Sequence, residues 1–90
     1  MFSLKGKVAV VTGGAGLYGR QIVAALAEAG AETYVASRNL EALEALAAKH
    51  RQKGENVTAL RVDQADEKSV LELRDGVVAR SGRADVLVNN

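Results

Sequence analysis

The chain has no cysteine and no proline, a single histidine, and only three aromatic residues, Phe2, Tyr18 and Tyr34, among 90 positions. Without cysteine there is neither a disulfide framework nor a thiolate metal site, and the lone His50 has no local partners with which to build a metal centre. A reducing cytoplasm is therefore the expected compartment. The uninterrupted apolar stretch near the start, Val8 to Val11, is far shorter than the apolar region of a signal peptide or a membrane span, so neither export by that route nor a membrane is expected. Twelve basic residues against 11 acidic ones leave a formal charge of +1, with no run of like charge longer than two, which gives no footprint for nucleic acid or an anionic lipid surface. With no proline and no low-complexity segment there is no linker, and residues 1–90 read as one unit.

What remains is aliphatic. A core of Val, Leu, Ile and Ala, with few aromatics, suits helices packed on a parallel sheet. Lys7 to Thr12 is a short, continuous, β-branched run with glycines on either side, the pattern of a strand buried on both faces. From Leu17 to Ala29, Ile22, Val23 and Leu26 recur at helical spacing, and Gly30 supplies a left-handed stop. Glu32 to Ala36 reads as a second strand. Asn39 then caps a helix whose Leu40, Leu43 and Leu46 form one stripe ending near Gly54. Val57 to Val62 is a third strand, Asp66 caps a helix carrying Val70, Leu73 and Val77 that Gly82 closes, and Ala84 to Val88 is a fourth strand.

The order βαβαβαβ at this rhythm requires right-handed crossovers and a parallel sheet, since each helix must return over a face of the sheet before the next strand begins. The doubly wound α/β fold that binds dinucleotides is the natural solution, with strand order 3-2-1-4. The chain stops at Asn90 directly after an apolar run, in mid-fold on this reading, so it is expected to be the front part of a longer protein.

Between the first strand and the first helix lies Thr12-Gly13-Gly14-Ala15-Gly16-Leu17-Tyr18-Gly19. Gly14, Gly16 and Gly19 satisfy G-x-G-x-x-G, and Gly13, Gly16 and Gly19 also satisfy G-x-x-G-x-x-G. Isolated, such a match would mean only a strand-to-helix turn. Four glycines in seven residues, with a strand before and a helix after, point instead to a pyrophosphate cradle. A Cβ in the turn would obstruct the backbone's approach to the phosphates, while the helix offers unpaired N–H groups and the positive end of its dipole. Gly19 lets that helix pack close to the strand. No Gly-Lys-Ser/Thr follows, which excludes a kinase-type phosphate loop.

Here a family resemblance becomes specific. The opening Leu4-Lys5-Gly6-Lys7-Val8-Ala9-Val10-Val11-Thr12-Gly13-Gly14 and the closing Asp85-Val86-Leu87-Val88-Asn89-Asn90 resemble the corresponding parts of a classical short-chain dehydrogenase/reductase, and the resemblance runs over all 90 residues. One position departs: the classical loop Thr-Gly-x-x-x-Gly-x-Gly has glycine where this chain has Leu17. The spacing is also similar to that of the family's extended branch, typified by nucleotide-sugar epimerases. The double asparagine and Ser37-Arg38-Asn39 resemble the classical branch. The resemblance implies an NAD(P)-dependent oxidoreductase that passes a hydride between nicotinamide and an alcohol or ketone carbon of a small molecule, and that forms a homo-oligomer when complete. The family's catalytic tyrosine, lysine and serine match nothing within these residues, so the chain alone is expected to position a cofactor and not to catalyse. An inactive dinucleotide-binding module and an epimerase-like enzyme are the alternatives.

Past the second strand of this fold, a carboxylate accepts the ribose hydroxyls of NAD, whereas an arginine accommodates the extra phosphate of NADP. Ser37, Arg38 and Asn39 occupy that place, and a guanidinium can pair with the phosphate and stack on adenine. NADP is thus expected over NAD. Gly13, Gly14, Ala15, Gly16, Leu17, Tyr18 and Gly19 would carry the pyrophosphate. By resemblance, Asp63 with Gln64 would contact adenine and Asn90 the ribose, while Asn89 would tie neighbouring strands together. Lys49-His50-Arg51-Gln52-Lys53 reads as a solvated helix end.

Overall fold

The computed structural model describes residues 3–13, 17–63 and 66–89. Its elements alternate as β1 (Val8–Thr12), α1 (Leu17–Glu28), β2 (Glu32–Ser37), α2 (Leu40–Gln52), β3 (Val57–Arg61), α3 (Glu67–Ser81) and β4 (Val86–Asn89). The four strands form one parallel sheet in the order β3-β2-β1-β4, as the repeating pattern requires. The first two crossovers step outward from β1 to β2 to β3. The third steps back past both to the far side of β1, and the right-handed rule then places α3 on the opposite face from α1 and α2.

The period-two geometry of a strand sorts the core into two layers. Val8 and Val10 of β1, with Tyr34 and Ala36 of β2, pack with Leu73 and Val77 of α3. Val11, Val35 and Val57 pack on the other face with Val23 and Ala27 of α1 and Leu43 and Ala47 of α2. All five residues of β1 are buried. A fully buried aliphatic side chain contributes about 1.5–3 kcal/mol, so β1 is the most strongly held strand among the described residues.

Helix boundaries follow their caps. The Asn39 side chain accepts the Ala42 N–H at 3.2 Å, and that of Asp66 accepts the Lys68 N–H at 3.0 Å, which satisfies N–H groups left over at the start of α2 and α3. Gly30 and Gly82, just past α1 and α3, take φ of +98° and +79°. At Gly30 a Cβ would also lie 3.4 Å from the backbone of Lys5, so this turn packs against the chain entering β1.

Three expectations are corrected. The buried stripe of α2 is Leu43, Ala47 and His50, not Leu40, Leu43 and Leu46: Leu40 is exposed and Leu46 half-buried, because the helix rests on the sheet along an i, i+4, i+7 line. His50 is not solvated. Its ring is buried, and Nδ1 lies 2.7 Å from Glu55 Oε1, a carboxylate carried by the turn that leads into β3. The fourth strand begins at Val86, not Ala84, since Asp85 uses its side chain at the strand entrance: Asp85 Oδ2 accepts the Val8 N–H at 2.9 Å while the Asp85 N–H donates to the Val8 carbonyl at 2.8 Å. Smaller shifts of one residue occur at the ends of β1, α1, β2 and β3.

A second polar anchor joins the α3 layer to the sheet. The Tyr34 hydroxyl lies 3.0 Å from Glu32 Oε1 and 2.6 Å from Ser81 Oγ, and Ser81 Oγ donates to the same carboxylate oxygen at 2.6 Å. The last turn of α3 is thereby fixed over β2. It also explains how a tyrosine is tolerated inside a buried strand, since its polar end is satisfied.

The Arg83 guanidinium donates to Asp85 Oδ1 from Nε at 2.9 Å and Nη2 at 2.6 Å. This pairing, with the Val8 N–H, holds the Asp85 carboxyl below its ordinary value of 3.8. A depressed folded-state pKa stabilises the fold fully above the unfolded value, and the contribution is lost as pH falls through the folded one. Denaturation of the intact protein should therefore show a stability gap between wild type and Asp85→Asn near neutral pH that closes once pH drops well below about 4. A gap of constant size across that window would rule out the ionised carboxylate as its source.

Candidate functional site

All four strands point the same way, so their C-terminal ends open onto one edge of the sheet. Thr12 is in register with Ala36 on one side and Asn89 on the other, and Ser37 with Arg61. The turns leaving β1, β2 and β3 therefore emerge side by side. Chain direction reverses about β1, with the path running to β2 on one flank and returning to β4 on the other. In an open α/β sheet such a switch point leaves a crevice in which ligands bind.

The turn after β1 is built from its last two residues. Thr12 is buried, and its hydroxyl donates to the Val88 carbonyl at 3.4 Å, tying the ends of β1 and β4 together. Gly13 continues the ladder on the other flank, with its N–H 2.7 Å from the Ala36 carbonyl, and takes φ of +72°, which turns the chain out of the sheet. Gly14, Ala15 and Gly16 lie outside the described residues, as do the side chains of Leu17 and Tyr18. Leu17 and Tyr18 open α1, and Gly19 is buried in its first turn. That first turn holds no acidic residue, so no side chain of the turn itself offsets the positive end of the α1 dipole. A short glycine-rich connection leading into an uncompensated helix N-terminus fits a pyrophosphate.

The turn after β2 is fixed locally. Ser37 Oγ accepts the Asn39 N–H at 3.1 Å, and Asn39 spends its amide oxygen on capping α2. Between them Arg38 is exposed and makes no ion pair among the described residues. Ser37 and Asn39 thus hold the turn that presents the guanidinium, and no carboxylate occupies residues 37–39.

After β3, Val62 is buried and donates its N–H to the Ser37 carbonyl at 3.0 Å, extending the pairing toward the second turn. Asp63 is exposed, its N–H donates to Ser69 Oγ at 3.1 Å, and its carbonyl accepts the Asp66 N–H at 3.0 Å. Asp66 serves as the cap of α3. Gln64 and Asn90 lie outside the described residues, and Asn89 ends β4 opposite Thr12. The edge therefore gathers Gly13, Gly19, Ser37, Arg38, Asn39 and Asp63 from three connections. Thr12 opens the glycine-rich stretch in the sequence, but its tie to Val88 is visible only in the fold; the one signal for it is a hydroxyl at the end of an otherwise aliphatic buried strand.

Among the described residues no group of His, Cys, Asp or Glu has the arrangement of a metal site, and no helix is long and apolar enough to cross a membrane.

Residues 7–90 match the family model for short chain dehydrogenases. A short chain dehydrogenase/reductase of Colletotrichum higginsianum is 42% identical over 87 residues, covering 97% of this chain and 32% of that protein. A D-threitol dehydrogenase of Mycolicibacterium smegmatis is 45% identical over 92 residues, covering 99% of this chain and 34% of that protein. The crystal structure of a metagenomic short-chain oxidoreductase in complex with NADP gives a TM-score of 0.92 at 34% identity, covering 97% of this chain and 39% of that one. The chain spans about a third of the length of the curated relatives it matches.

At Gly13 the positive φ is one that a side chain adopts only at a cost of about 1–2 kcal/mol. Gly13→Ala should lower the unfolding free energy of the intact protein by about that amount in urea titration. An unchanged midpoint and slope would mean that the turn relaxes into an ordinary conformation.

Proposed function

The chain belongs to the short chain dehydrogenase family, and we propose that it is the NADP-binding part, residues 1–90, of an oxidoreductase acting on an alcohol or carbonyl group of a small molecule. The observation that carries the reading is the convergence at one sheet edge of the Gly13 turn, the uncompensated start of α1, and Arg38 on a turn without a carboxylate.

In this reading Gly13, Gly14, Ala15, Gly16, Leu17, Tyr18 and Gly19 approach the pyrophosphate through backbone and helix dipole. Arg38, steadied by Ser37 and Asn39, takes the adenosine phosphate that distinguishes NADP from NAD. Asp63 and Gln64 border the adenine, and Asn90 the ribose near the nicotinamide. When bound, the cofactor supplies a hydride donor or acceptor at nicotinamide C4. This chain's residues contribute orientation, fixing the dinucleotide across the edge so that one ring face meets the substrate. The acid/base and oxygen-polarising groups lie outside residues 1–90. The D-threitol dehydrogenase and the NADP complex among the matches support the alcohol chemistry and the cofactor choice. A homo-oligomer in the cytoplasm, without nucleic acid or membrane partners, completes the proposal.

Cofactor titration of the intact protein tests it. Losing one charge-assisted phosphate contact in Arg38→Ala should weaken NADPH binding by about ten- to a hundred-fold and leave NADH binding within about two-fold. Equal losses for both cofactors, or none for NADPH, would refute the assignment of Arg38.

A further inference from the structure

In the proposed site Asp63 borders the adenine, yet it stands exposed on a connection, where a carboxylate is selective only if its backbone is held. Val62, the residue before it, donates its N–H to the Ser37 carbonyl of β2. Successive N–H groups of an extended chain point to opposite sides, so the Asp63 N–H turns away from β2. Among the described strands β3 is at the edge of the sheet, and that N–H therefore faces outward. A donor placed there ordinarily goes to water.

Ser69 takes it instead. Its Oγ accepts the Asp63 N–H at 3.1 Å, from six residues further along the chain and from the first turn of α3. A serine so close to a helix start is commonly a cap, but that position is filled: the Asp66 side chain accepts the Lys68 N–H at 3.0 Å, and the Val70 N–H goes to the Asp66 carbonyl at 3.2 Å. The Ser69 hydroxyl is directed out of its own helix and back to the end of β3. It is half-buried and lines the groove between β3 and α3 with Leu60 and Leu73, so packing restrains it as well as the bond.

A second tie comes from the same end of the helix. The Asp63 carbonyl accepts the N–H of Asp66, the cap of α3, at 3.0 Å. The peptide groups on both sides of the Asp63 Cα are thus bonded to the start of α3, a 15-residue helix whose Leu73 and Val77 pack against β1 and β2. With φ and ψ restrained from two sides, the carboxylate keeps only its own side-chain torsions.

We propose that Ser69 is a positioning residue for adenine recognition: by holding the Asp63 N–H it sets the backbone from which the carboxylate meets the base. The inference rests on the reading that Asp63 borders the adenine. The group on adenine that a carboxylate recognises is the exocyclic amino group, a donor, and hypoxanthine presents an acceptor oxygen in its place. A carboxylate held against that edge separates the two bases, whereas one free to withdraw into water does not.

The test is fluorescence titration of the intact protein with NADPH and with the analogue in which hypoxanthine replaces adenine. Wild type should bind NADPH about ten-fold more tightly or better, the size of one charge-assisted hydrogen bond. Asp63→Ala should bring the two within about two-fold. Ser69→Ala, with the carboxylate still present, should narrow the preference to about three-fold or less. Ser69→Thr, which keeps an acceptor oxygen at the same place, should return it to within about two-fold of wild type. A helix merely weakened at its start would lower affinity for both dinucleotides and leave their ratio unchanged. Full preference in Ser69→Ala, or the same loss in Ser69→Thr as in Ser69→Ala, would overturn the role of Ser69 while the adenine contact stands. No preference in wild type, or one that survives Asp63→Ala, would overturn the adenine contact itself and the role of Ser69 with it.

Discussion

The arrangement depends on the burial of β1 from every side. Its two faces are covered by α3 on one side and by α1 with α2 on the other, and its two edges by β2 and β4. A strand so enclosed has no freedom to slip, because a shift of one residue would exchange the side chains belonging to the two layers. Val8, Val10 and Val11 therefore set the position of Thr12 and Gly13, and through them the point where the chain leaves the sheet. Precision at the turn originates in aliphatic packing several residues earlier.

The site uses this rigidity economically. Thr12 and Gly13 reach sideways to Val88 and Ala36, so the exit of β1 is tied to the ends of both neighbouring strands. Val62 does the same between β3 and Ser37. Backbone N–H groups and the dipole of α1 are directional only if the backbone is fixed, and these cross-links fix it. Ser37 and Asn39 extend the same logic to Arg38, since their polar atoms hold the turn from which the guanidinium projects. The opposite edge of the sheet is secured by charge: Asp85 closes the entrance of β4 against Val8 with the help of Arg83.

Much of this was legible from residue order. The doubly wound sheet, its strand order, the caps Asn39 and Asp66 and the left-handed Gly30 and Gly82 follow from period, turn chemistry and the handedness of crossovers, all of which act over a few residues or obey a general rule. The role of His50 was not legible. A histidine amid Lys49, Arg51 and Lys53 reads as surface, and only the approach of Glu55 on the next turn makes its burial affordable. The same holds for Glu32, Tyr34 and Ser81, which are joined by hydrogen bonds across 47 and 49 residues of chain. The α2 stripe was displaced for a related reason, since Leu40 offered as much apolar surface as Leu43 but the sheet beneath the helix accepts only one line of contact.

The glycines and β-branched runs alone settled that a strand, a tight turn and a helix follow one another here, because that property resides in local covalent geometry and residue order. Tertiary structure alone decided which groups meet: Thr12 with Val88, Asp85 with Val8, and His50 with Glu55. Such pairings depend on the register of strands and the rotation of helices on the sheet. Those are fixed by the sum of many weak apolar contacts, and no short window of sequence contains that sum.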